Sequence, residues 1–169
     1  RLFSIEVSFW NAVSNTAVYT VSVVAILIFL AVLLAVWLQK DSLINRIIER
    51  VMFLPHLCAG IAVALIFQWL FDEEGAVNAI LSLLSLPTFR WLNSSSTAMI
   101  CVVIVSIWKS MGYYALIIMS SLKSIPSEIN EAADLDDAGS IRRFFRITLP
   151  MLSPQLFFLF ITITIGSFK

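Results

Sequence analysis

Charge is missing from long, continuous stretches of this chain, and that absence limits the fold more than any other feature. No Asp, Glu, Lys or Arg occurs in 7–39, 51–71, 91–108, 110–122 or 147–168. A hydrocarbon core about 30 Å thick is crossed by about 20 apolar residues in a helix. Residues 11–38, 51–71 and 147–168 meet that length directly, and 96–122 meets it with one interruption, Lys109. With no water in the bilayer core, each backbone N–H and C=O must be satisfied inside its own segment, so these runs are expected to be helices. The fold class that follows is an all-α integral membrane protein, a polytopic bundle of four spans over about 11–38, 51–71, 96–122 and 147–168. Composition agrees. The chain is 60% hydrophobic and 13% charged, whereas a soluble domain carries about 25% charged residues. A compact soluble enzyme is excluded.

The placement of positive residues gives an orientation. Lys40, Arg46 and Arg50 sit in 40–50, and Lys123, Arg142, Arg143 and Arg146 sit in 123–146. The connection 72–90 has only Arg90, against Asp72, Glu73 and Glu74. Segments 40–50 and 123–146 are therefore expected in the cytoplasm and 72–90 outside, and the alternation of four spans closes without conflict. Residues 76–86 are apolar but too short to span, which suits an interfacial or re-entrant helix. Trp10, Trp69 and Trp91 fall near span boundaries, where aromatic anchors belong. The chain opens at Arg1 and ends at Lys169 directly after an apolar run, so a fragment of a longer protein is expected.

Several functions lack their chemistry here. Eleven Lys and Arg balance eleven Asp and Glu, which leaves no basic field for nucleic acid. An intramembrane enzyme would need a nucleophile with its base, or a metal set. A single histidine, His56, and no acid in any span supply neither. His56 follows Pro55 and reads as a packed or interfacial residue, while Pro55 is expected to kink the second span. Cys58 and Cys101 lie in apolar runs and read as buried thiols. No metal site and no catalytic residues are expected.

The segment from Lys123 to Pro150, KSIPSEINEAADLDDAGSIRRFFRITLP, has internal order. Pro126 and Ser127 suit a helix start. Ile129, Ala132 and Ala133 fall on one small apolar face, with Glu128 and Glu131 on another. Asp136, Asp137, Ala138, Gly139 and Ser140 read as a turn with caps for a second helix. There Ile141, Phe144, Phe145 and Thr148 are expected to share a face opposite Arg142, Arg143 and Arg146. Periodicity alone leaves two readings open, an interfacial hairpin or a docking element for a cytoplasmic partner.

The residues themselves go further. Glu131-Ala132-Ala133, then Asp136 and Ala138, then Phe144, then Ile147-Thr148-Leu149-Pro150 resemble the EAA loop of binding-protein-dependent ABC importers. Trp10-Asn11 with Asn15-Thr16, Phe53-Leu54-Pro55 followed by Trp69-Leu70-Phe71, Gly75 with Asn78, and Ile107-Trp108-Lys109 with Gly112-Tyr113 are similar to the carbohydrate-type permeases of the maltose and glycerol-phosphate group. One departure is visible: the family's turn glycine falls at Asp137, with Gly139 two residues later. The resemblance implies a single permease domain over 9–169, corresponding to the middle four of six or more spans. It implies a cytoplasmic coupling loop at 123–150 that seats on an ATPase subunit through Glu131, Ala132, Ala133, Asp136, Asp137, Ala138, Gly139, Phe144, Ile147, Leu149 and Pro150. Implied partners are two ABC ATPase subunits, a second homologous permease and an external solute-binding protein, all at a bacterial or archaeal cell membrane. With no GxxxxGK[ST] in the chain, ATP and Mg belong to the ATPase subunits, and no cofactor is expected here. The implied cargo is a carbohydrate or related polar solute.

Lys109 is the intramembrane charge. Such a residue is costly and faces a bundle interior or a wet cavity. It is expected on the translocation path with Tyr113, or else in a structural pairing. Gln68 and Asn78 are candidates for the same path, with capping and interhelical hydrogen bonds as the alternative. The rival to the importer is a secondary transporter or channel subunit using Lys109. Ion coupling usually employs carboxylates inside the membrane, and all eleven acids lie outside the expected spans.

Overall fold

The computed structural model of the chain describes residues 2–126, 128–129 and 139–168. These residues form helices joined by short turns: α1 (Leu2–Leu38), α2 (Leu43–Leu57), α3 (Gly60–Leu70), α4 (Ala76–Leu83), α5 (Ser95–Lys123), α6 (Ser140–Arg143) and α7 (Leu149–Ser167). A π-helical turn, Phe144–Thr148, carries α6 into α7 without a break. No strand occurs among the described residues. The fold is the all-helical membrane bundle that the charge-free runs require.

Three helical stretches are long and apolar enough to cross a bilayer: Phe9–Leu38, Thr97–Lys123 and Ile141–Ser167. The second expected span differs from its expectation. In place of one helix over 51–71 stand α2 and α3, which meet at 99°, the geometry of a broken span or of a re-entrant loop, so the described residues give three spans, or four if the bent pair is one. The reason is local. Pro55 has no N–H to donate and its ring crowds the preceding turn. Three residues further on, Cys58 (φ −69°, ψ 141°) and then Ala59 (φ −58°, ψ 135°) are extended, so the α-helical ladder stops.

The core is the seam where α1, α5 and α7 pack together. Val24, Leu27, Ala31, Ala35 and Leu38 of α1 meet Ile118, Met119 and Leu122 of α5, and Leu152, Leu159 and Ile163 of α7 close the third side. Ala31 and Ala35 are one turn apart and fully buried. Small residues at that spacing let helix backbones approach closely, which is what drives association where lipid is as apolar as leucine. Tyr19 and Ser106 add a hydrogen bond of 2.8 Å between α1 and α5.

A second small-residue contact seats α2. A Cβ at Gly112 would fall onto the Met52 carbonyl and 2.9 Å from the Phe53 nitrogen, so α5 touches α2 backbone to backbone. Ala35 and Ala115 line the same junction. Outward surfaces are left for lipid or other helices, because only 39%, 22% and 17% of the three apolar spanning windows is buried within the chain.

The π-helical turn revises one expectation. Its extra residue per turn moves neighbours off a common face. Phe144 packs against the core, whereas Ile141 and Phe145 point outward, 76% and 61% exposed. The expected shared face of Ile141, Phe144, Phe145 and Thr148 is therefore split.

Gly112→Ala is expected to push α2 away from α5 and lower stability by about 1–3 kcal/mol, the range for overpacking. The check is the thermal unfolding midpoint of the purified protein in detergent. Gly166→Ala is the control, since no atom lies within 4 Å of a Cβ added there.

Candidate functional site at a broken membrane span

The break between α2 and α3 gathers polar and aromatic side chains at the middle of a spanning segment. Lys109 stands at the centre of α5, and its Nζ lies 3.5 Å from the position of a Cβ added at Gly60, the first residue of α3. One turn along α5, Tyr113 stacks on His56 of α2 with ring centroids 4.2 Å apart and planes 4° apart. Phe53 stacks beyond His56 at 6.2 Å. The sequence supplies this grouping simply: Lys109 and Tyr113 are four apart on one helix face, and Gly112 holds α2 close enough for the rings to meet.

Among the described residues Lys109 makes no hydrogen bond or ion pair, although it is half-buried. His56 Nδ1 is buried without a hydrogen-bond partner. Residues 57–62 around the break are exposed within this chain. Non-helical backbone at membrane depth persists only where other protein covers it or where it lines a water-filled cavity. Broken helices of this kind present backbone dipoles to polar solutes near the midplane. The arrangement can solvate a polar solute. It holds no nucleophile–base pair, and no cluster of metal-ligating side chains occurs among the described residues.

The other two expected path residues lie elsewhere. Gln68, on α3, borders an apolar cavity of about 260 Å³ shared with Cys101 and Val105. It also borders a polar one of about 170 Å³ shared with Asp72, Glu73 and Asn93. The bonds of Asn78 are those of the alternative reading, a structural residue. It is buried, and its amide nitrogen donates to the Glu73 and Phe89 carbonyls at 3.0 and 2.8 Å. Its amide oxygen accepts from the Phe89 N–H at 3.1 Å and the Trp91 indole at 2.9 Å. Those bonds use its capacity and leave nothing for a solute.

Asn78 thereby closes the connection 72–94. Gly75 fits there because a Cβ would lie 2.5 Å from the Trp69 carbonyl and 2.6 Å from that of Leu70. Ser85, in the left-handed region at φ 57°, ends α4, and the Leu86 N–H closes back onto Leu81 at 2.9 Å. Arg90, at 2.7 Å, and Asn93, at 3.1 Å, bond the Glu73 carboxylate and hold its pKa below the ordinary value of 4.5.

Of the expected coupling loop, Glu131, Ala132, Ala133, Asp136, Asp137 and Ala138 lie outside the described residues. Gly139 precedes α6, Phe144 and Ile147 belong to the π-helical turn, and Leu149 and Pro150 open α7. Sequence reasoning missed His56 and Gly60 as members of the site. The available signal was proline followed five residues later by glycine inside an apolar run. Volume does not mark the site either. A far larger void, about 1240 Å³ between α1 and α5, is open and mostly apolar.

Comparison with known proteins gives a consistent picture. The family described as binding-protein-dependent transport system inner membrane component matches residues 28–169. The arabinooligosaccharides transport system permease protein AraP of Halalkalibacterium halodurans is 33% identical over 165 residues, 96% of this chain and 52% of the relative. The sn-glycerol-3-phosphate transport system permease protein UgpA of Escherichia coli O157:H7 is 33% identical over 164 residues, covering 95% of this chain and 53% of its own. A bacterial ABC transporter involved in the import of the acidic polysaccharide alginate has a chain that superposes with a TM-score of 0.85 at 23% identity, over 92% of this chain and 55% of that one. The chain spans about half the length of the curated relatives it matches.

Asn78→Ala would leave the Trp91 indole and the Phe89 amide without partners, at a cost of about 1–3 kcal/mol. Faster hydrogen exchange at residues 72–94, with α1 unchanged, is the expected reading. Glu73 adds a pH dependence. A carboxyl depressed in the folded loop stabilises it above pH 4.5, and that support is lost as pH falls through the depressed value. Protection of the loop amides, with the intrinsic pH dependence of exchange divided out, is therefore expected to fall on acidification in the wild type and to respond less in Glu73→Gln.

Proposed function

The chain belongs to the binding-protein-dependent transport system inner membrane components, and on that premise we propose that it is part of the membrane-spanning permease subunit of an ATP-driven importer for a carbohydrate or related polar solute. It is a multi-pass membrane protein whose relatives are transport permeases rather than enzymes. The observation that carries the reading is the exposed backbone break between α2 and α3, beside the Lys109 ammonium, which has no ion pair among the described residues. A polar solute crossing a bilayer needs such a place, where backbone dipoles, a cation and aromatic faces replace water. Lys109 and Tyr113 are the path residues in this proposal, and Gln68 stands further towards the acidic connection.

The working complex would contain a second homologous permease, two ABC ATPase subunits and a solute-binding protein outside a bacterial or archaeal cell membrane. One alginate transporter neighbour was solved in complex with an alginate pentasaccharide-bound periplasmic protein, which supports the last partner. ATP and Mg would be held by the ATPase subunits. Driving a two-state equilibrium from 1:99 to 99:1 takes about 5.5 kcal/mol of differential binding, while an exposed ion pair is worth about 0–1 kcal/mol. Glu131 therefore cannot supply the stroke. ATP binding supplies it, and the coupling loop acts as a stiff, well-seated lever, with Ala132 and Ala133 permitting close contact with the ATPase.

Two outcomes are expected in the full-length transporter reconstituted with its partners. Ala133→Asp uncouples ATP hydrolysis from uptake more strongly than Glu131→Gln, and equal uptake by the two variants would refute the lever. Lys109→Met raises the KM for uptake about tenfold, the equivalent of one lost charge-assisted hydrogen bond, with assembly of the complex intact. Loss of assembly instead would make Lys109 a structural residue.

A further inference from the structure

A second polar site lies at the opposite end of α2 from the break. The turn between α1 and α2, the first half of α2 and the last residue of α5 enclose a polar cleft of about 350 Å³. Lys40, Arg46, Arg50 and Lys123 line it, against Asp41 and Glu49. Asp41 is already committed, since both its oxygens accept from Arg46 at 3.0 Å. The Arg46 bonds, assisted by its charge and by nearby Lys123, hold the Asp41 pKa below the ordinary carboxylate range. Lys40, Arg50 and Lys123 make no ion pair among the described residues. Three elements thus aim three unpaired cations into one cleft that holds a single uncommitted acid.

The turn is built to hold them there. Asn45 donates to the Lys40 carbonyl at 2.7 Å, and the Asp41–Arg46 pair spans the start of α2. On the outer side of the same helix, Leu43, Ile47, Val51 and Leu54 form an apolar stripe at helical spacing, each more than half exposed. The stripe runs from the cleft towards the membrane centre. A cationic cleft continuous with an exposed apolar track matches a molecule with an anionic head and a hydrocarbon tail. The positive-inside pattern puts this end of the bundle at the cytoplasmic interface, where anionic headgroups collect and basic clefts between spanning helices bind them.

We propose that the cleft formed by Lys40, Arg50 and Lys123 is a binding site for the phosphate of an anionic phospholipid, whose acyl chain lies along the Leu43–Leu54 stripe of α2. The lipid ties the turn between α1 and α2 to the end of α5. It thereby braces α2 against the helix that carries Lys109.

The test uses the full-length transporter complex, stripped of lipid in detergent and titrated with phosphatidylglycerol or phosphatidylcholine under native mass spectrometry. The wild type is expected to retain phosphatidylglycerol preferentially. Each of Lys40→Gln, Arg50→Gln and Lys123→Gln is expected to weaken that retention about fivefold, with phosphatidylcholine unaffected. Glu49→Gln is expected to hold the anionic lipid at least as tightly, and Lys123→Arg to restore what Lys123→Gln loses. Reading the single variants separately keeps the outcome interpretable if their combination fails to fold. Equal retention of the two lipids, or retention unchanged in all three single variants, would overturn the proposal. Displacement of phosphatidylglycerol by inorganic phosphate alone would make the ligand a free anion. Loss of the ATPase subunit from the variants would assign the cleft to a protein contact. Either result would overturn it too.

Discussion

The contact of Gly112 with the Met52 carbonyl fixes the rest of this structure, because it lets α5 and α2 meet backbone to backbone. Any side chain at 112 would separate the two helices by about the thickness of a methyl group. From that close approach follow the parallel stacking of His56 on Tyr113 and the seating of the α2–α3 break opposite Lys109. The small-residue seam formed by Ala31 and Ala35 does the same for α1. In a bilayer no hydrophobic force pulls helices together, so shape at small residues decides which faces meet.

That geometry makes the break meaningful. Cys58 and Ala59 leave the helical ladder in the middle of a span, where unsatisfied backbone costs several kcal/mol per group unless protein or water covers it. The half-buried Lys109, which makes no hydrogen bond or ion pair among the described residues, sits alongside. One costly feature could be tolerated as a packing compromise. Two at the same depth, facing each other, suit a wet path through which a polar solute moves. The neighbouring loop shows the contrast. There every polar group of Asn78 is satisfied, and the residue is structural.

Much of the architecture was legible because the bilayer restricts the possibilities. A charge-free run of sufficient length has few alternatives to a spanning helix, so α1, α5 and α7 follow directly from the pattern. The broken second span does not. Val51 to Phe71 reads as one apolar run, and hydropathy cannot distinguish a continuous helix from two helices meeting at 99°. Pro55 signalled a disturbance, but the ladder is left three residues later, at Cys58 and Ala59, a position that hydropathy does not mark. Lys109 was conspicuous as a lone charge, whereas His56 became part of the site only through the Gly112 contact. Asn78 carried the opposite lesson. A polar residue in an apolar stretch looks available to a solute until the Phe89 and Trp91 bonds, which are remote in sequence, are in view. The split of Phe144 from Ile141 and Phe145 was equally invisible, since a π-helical turn leaves no mark in periodicity.

Cys58 offers the most direct test of the central claim, because this exposed thiol sits at the break itself while Cys101 is buried. The measurement is labelling of Cys58 by a charged, water-soluble thiol reagent in the full-length transporter in native membranes, with Cys101→Ser as background. If the broken span lines an aqueous path, Cys58 reacts in at least one state of the ATP cycle, and transported solute slows the reaction. A Cys58 that stays unreactive towards the charged reagent in both the resting and the ATP-bound states, while a membrane-permeant reagent of similar size labels it, would contradict the account.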